Sequence, residues 1–98
     1  AMVSEILFAV RAGRLAKRLE DEGGMPNEPV PVSASGRVDR VAADALFPSY
    51  RAAVDAAPES WRAWFRLALA YDASGDRRRA RWATRRAIRL ERSSSLVE

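Results

Sequence analysis

The sequence predicts an all-α protein. Apolar residues recur at three- and four-residue spacing along most of its 98 residues, as on one face of a helix. Clusters of Gly, Pro and Ser divide the chain into four such periodic segments. No segment alternates apolar and polar residues in the manner of a half-buried strand. The length suits one domain, and 48% hydrophobic with 31% charged residues is the balance of a folded chain rather than a disordered one.

The first helix is expected over residues 4–22, with Ser4 as its cap. Phe8, Ala12, Leu15 and Leu19 share one face, Arg11, Arg14, Lys17 and Arg18 take the other, and Gly23-Gly24 stops it. Residues 25–36 read as a linker, because Pro26, Pro29 and Pro31 favour extended backbone. The second helix follows Ser35-Gly36, carries Val38, Val41, Ala42, Ala45, Leu46, Tyr50, Ala53, Val54 and Ala57 in phase, and ends at Pro58. Pro48 lies inside that run and predicts a kink. The third helix, about 59–73, has apolar groups around much of its circumference, so it is expected to be the central, most buried element. Gly75 supplies a tight turn and Asp76 a cap for a fourth helix over about 77–91. Ser93-Ser94-Ser95 then reads as the start of a frayed tail over 92–98.

From the third helix onward the spacing resembles the tetratricopeptide repeat, 34 residues folded as an antiparallel helix pair. Trp64-x2-Leu67-Ala68-x2-Tyr71 matches its first helix, with Ala in place of Gly. Gly75-Asp76 falls at the turn, and Ala80-x3-Thr84 with Ala87 matches the second helix, Thr84 replacing an aromatic. Arg92 stands where the closing Pro would be. Tyr50, Ala53 and Pro58 repeat the phase one period earlier, so the resemblance covers a full repeat and a preceding half, about residues 46–91. It implies a four-helix mini-solenoid. About three repeats are usually needed to bury such a stack. Either the N-terminal helix folds back, placing Phe8, Leu15 and Leu19 on the repeat, or a homodimer covers the open faces.

Chemistry is bounded by absences. The chain has no Cys and no His, which removes thiol and imidazole nucleophiles, general bases and metal ligands. The acid clusters Glu20-Asp21-Glu22 and Asp72/Asp76 lack calcium-loop spacing, and no phosphate-cradling glycine motif occurs. No enzyme activity, cofactor or metal is expected. No segment has the roughly 18 apolar residues of a membrane span, and no signal peptide is evident, so the cytoplasm is the expected compartment. An N-terminal amphipathic helix on anionic lipid is disfavoured by Glu20-Asp21-Glu22. Sixteen of the seventeen basic residues are Arg, which with abundant Ala suggests a GC-rich bacterial source. The net charge of +4 is concentrated in residues 59–98, where ten Arg face five acids.

Two surfaces are candidates for partners. The resemblance implies a concave face made by the first helix of the repeat, here Arg62, Phe65, Leu69, Asp72 and Ala73, docking a protein or peptide. Phe65 and Leu69 depart from the family's carboxylate clamp and suit an apolar helix or an extended peptide, or else burial under the protein's own first helix. The second surface is basic: Arg78, Trp82, Arg85 and Arg89 share a face of the fourth helix, with Arg81, Arg86 and Arg92 nearby. An aromatic among arginines fits stacking and phosphate pairing by single-stranded nucleic acid; a solvated basic helix with Trp82 packed in a contact is the alternative. Protein–protein interaction is the expected function, nucleic-acid binding the alternative.

Overall fold

The computed structural model describes residues 2–24 and 40–97. Four helices account for nearly all of them: α1 (Met2–Asp21), α2 (Arg40–Ala56), α3 (Trp61–Ala73) and α4 (Arg77–Val97). No strand occurs among the described residues, so the all-α expectation holds. The Pro-rich linker over 25–36, with Ser35, Gly36 and Val38, lies outside them.

Helix ends follow local chemistry. Ser60 caps α3, its hydroxyl oxygen accepting from the Ala63 N–H at 3.3 Å. Asp76 caps α4 in the same way, accepting from the Arg79 N–H at 3.1 Å. Between them Gly75 takes φ +85°, which lets the chain reverse within three residues and lays α4 antiparallel on α3. Gly75→Ala is expected to cost about 1–2 kcal/mol, because an L side chain is strained there. Thermal melting should show this as a fall of at least about 4 °C. An unchanged Tm would mean the turn adopts another conformation.

Two end expectations need correction. α1 begins at Met2, so Ser4 lies inside the first turn rather than capping it. α4 does not fray at Ser93-Ser94-Ser95 but continues to Val97. Serine is only slightly worse than the strongest helix formers, and extending an existing helix adds one hydrogen bond per residue fixed. α2 runs unbroken through Pro48, as its apolar phase requires.

α3 is the hub. It packs most extensively on α4, then on α2, while α1 lies across both α3 and α4. Trp61, Ala63, Phe65, Leu67, Ala68, Ala70 and Tyr71 are all buried, fulfilling the expectation of a central third helix. The interior divides into two clusters. One joins Val54 of α2 to Ala63, Leu67, Ala68 and Tyr71 of α3 and to Ala80 and Ala83 of α4, with Phe47 and Tyr50 at its edge. Phe47 meets Tyr71 edge-on at 4.7 Å between ring centres. The other joins Leu15 and Leu19 of α1 to Trp61, Phe65, Ala87 and Ile88. Trp64 packs against both, and its indole N–H donates to the Pro58 carbonyl at 2.8 Å. Phe8, Leu15 and Leu19 thus lie against α3 and α4, as a folded-back first helix requires.

The positions that carry the sequence resemblance are buried to different degrees. Leu67, Ala68, Tyr71, Ala80 and Ala87 are buried where helices touch, because small side chains admit close approach. Thr84 does not fill an aromatic's place: it is half-buried, and its hydroxyl donates to the Ala80 carbonyl of its own helix at 2.7 Å. Ala53 is exposed, whereas Ala87 one period later is fully buried. Val54, its neighbour, carries the α2 contact instead.

Candidate helix-face binding surfaces

The concave-face candidates spread along the length of α3. Arg62, at the N-terminal end, grips Glu22 at the close of α1 in a two-point pair, Nε to Oε1 at 2.8 Å and Nη2 to Oε2 at 2.7 Å. The same guanidinium lies 4.6 Å from the Trp61 ring centre. Phe65, 5% exposed, is buried against Leu15 and Leu19, and Leu69 packs on that cluster. Asp72 is exposed and Ala73 half-buried at the far end, next to the turn. α1 therefore covers the Arg62–Phe65 end of this face, and the Asp72–Ala73 end stays open.

Ion pairs fasten α1 further. Arg18 reaches Glu91 of α4 at 2.9 Å and lies 3.7 Å from Glu22. Arg66 donates to the Gly24 carbonyl at 2.8 Å. The Arg62 hydrogen bonds, with the positive charges of Arg62, Arg18 and Arg66, hold the Glu22 carboxyl below its ordinary pKa despite an opposing desolvation effect. The sign follows from linkage. A carboxylate with a depressed folded-state pKa contributes stability above its unfolded pKa and loses it as pH falls through the folded value. Acid titration of the melting temperature should therefore show a decline below about pH 4.5 that is shallower in Glu22→Gln. Parallel acid limbs for the two proteins would show that the pair is energetically silent, as many exposed pairs are.

Trp82 and the basic residues of α4 border two different clefts, with Arg79 beside Trp82 and Arg85 and Arg89 in the other. Trp82, 50% exposed, meets Trp64 edge-on at 5.2 Å and borders a cleft of about 420 Å³ with Phe47, Arg51, Tyr71 and Arg79. Arg85 and Arg89 line a different groove of about 390 Å³ between α4 and α1, with Ser4, Leu7, Phe8, Arg11, Ile88 and Arg92. The ring of Phe8 is covered there by Arg81 and Arg85, at 5.2 and 5.6 Å. Arg78 is exposed on the first turn of α4, and Arg86 lies over Trp64 at 5.8 Å.

Sequence reasoning missed Ile6, Leu7 and Val10, which are 61%, 43% and 54% exposed on α1. The signal was present. Ile6-Leu7-Phe8-Ala9-Val10 is five apolar residues in a row, and at 100° per residue such a run goes right round a helix, so one docked face cannot bury it all. Among the described residues no group of His, Cys, Asp or Glu could hold a metal ion, and no helix is long and apolar enough to cross a membrane. No protein-family model matches the chain, and no curated protein or solved structure matches it either.

Proposed function

We propose that this chain is a non-catalytic protein-interaction module built on a tetratricopeptide-like plan, working in the cytoplasm. Support for the plan comes from the buried Leu67, Ala68, Tyr71, Ala80 and Ala87, which stand at the motif positions. The observation that carries the function is the exposure of Ile6, Leu7 and Val10 on α1, with Leu7 lining a groove against α4, since adjacent large apolar groups left in water mark contact surfaces. Nucleic-acid binding is favoured by the exposed Trp82 with Arg51 and Arg79 beside it. It is weakened because Trp82 and the Arg85–Arg89 pair border different clefts. A photo-crosslinking residue at Val10, in the source cell, tests the choice. A discrete protein adduct, competed by unlabelled chain, is expected; adducts to nucleic acid alone, or none, would overturn it. Light scattering distinguishes a second copy of the chain from a different protein.

A further inference from the structure

We infer that the groove between α1 and α4 receives an acidic amphipathic helix. This rests on the protein-interaction function proposed above and specifies its partner class. Arg11 lines the groove from α1, and Arg85, Arg89 and Arg92 line it from α4. No carboxylate lines it. Lys17, Arg18, Arg51, Arg62 and Arg79 form ion pairs outside this groove. Four arginines therefore line this cleft, and the nearest carboxylates, Asp21, Glu22 and Glu91, lie in the adjoining groove that shares Arg11, Ile88 and Arg92 with it. Like charges gathered over a low-dielectric floor raise the local positive potential and select an anionic partner.

The floor decides which anion. It is Leu7, Phe8 and Ile88, with Ile6 and Val10 exposed on the same helix as Leu7 and Phe8. Phe8 offers no free ring for a base to stack on, because Arg81 and Arg85 lie over it. A phosphate backbone would pair with the arginines and leave the apolar floor unsatisfied. A flat bilayer would reach Ile6 and Val10 but not Ile88, which is 8% exposed between basic walls. An amphipathic helix meets both demands. A helix is about 10–12 Å across, too wide to sink into a cleft of about 390 Å³. It would ride over the groove, insert one or two apolar side chains and present Glu or Asp to each wall.

The test is fluorescence anisotropy with the full chain and a labelled synthetic peptide of about 18 residues, or five turns, with Leu on one face and Glu elsewhere. Binding is expected, weakening roughly tenfold as salt rises from low to several hundred millimolar. Arg89→Glu with Arg92→Glu should weaken it by at least about tenfold, and the Glu→Gln peptide should bind more weakly. Both arginines are exposed, so the melting curve of the double variant should match that of the parent. If it does not, Arg89→Ala alone gives the comparison. Absence of binding, equal binding by the Gln peptide, or no effect of the arginine changes overturns the inference. So does tighter binding of single-stranded RNA or phosphatidylglycerol vesicles than of the peptide. A protein adduct at Val10 without affinity for the acidic peptide removes this inference and leaves the interaction function standing; failure of both experiments removes both.

Discussion

Truncating Trp61 to alanine is expected to destabilise the protein by about 3–5 kcal/mol. Trp61 is 4% exposed and sits with Leu15, Leu19, Phe65, Ala87 and Ile88. Its removal deletes the largest side chain of that cluster and leaves a cavity where three helices meet. It also strips the ring from beneath Arg62 and Arg18, which lie 4.6 and 5.4 Å from its centre and add a smaller cation–π contribution. A domain of this size has about 5–15 kcal/mol in total, so the variant should be close to unfolding at growth temperature. Urea denaturation followed by circular dichroism gives the value directly. A loss under about 1 kcal/mol, like that of an ordinary surface change, would mean that α1 does not pack on α3 as described.

Leu67→Ala should cost about 2–5 kcal/mol in the other cluster. Leu67 is 1% exposed, with Ala63, Ala68, Tyr71, Ala80, Ala83 and Val54 around it. Those neighbours are mostly small and held by three helix backbones, so they cannot collapse into the space. Leu67→Met, which nearly keeps the volume, should cost less than about 1.5 kcal/mol. Equal losses for the two variants would show that volume is not what matters at this site. The contrast separates a filled interface from a merely hydrophobic one, and it bears on the Trp64-x2-Leu67-Ala68-x2-Tyr71 spacing itself.

Much of this fold was legible because periodicity records which side of a helix is dry. Leu15 and Leu19 declared the docked face of α1, the large residues around α3 declared its central position, and Gly75 with Asp76 declared the turn and cap. Periodicity does not record which neighbour supplies the dryness. The sequence could not separate Trp82 from Arg85 and Arg89. They share a face of one helix, but α1 walls one side of it while Phe47 and Tyr71 border the other. Nor could it expose Ala53 while Ala87, which the spacing aligns with it, is covered by α1 and α3 together. The ends of α1 and α4 were misplaced because Ser4 and Ser93-Ser94-Ser95 have only weak preferences, which a growing helix overrides.

The half-buried Trp64 has a consequence for how the molecule comes apart. Two interiors meet at one indole, itself pinned to the Pro58 carbonyl at 2.8 Å. While that indole is seated, the clusters should melt together and the calorimetric and van't Hoff enthalpies should agree. Loosen it, and amide exchange divides into two populations, with α1 opening ahead of the α2–α4 stack. Cooperativity in this chain is then a property of where one ring sits, more than of how much surface the four helices bury.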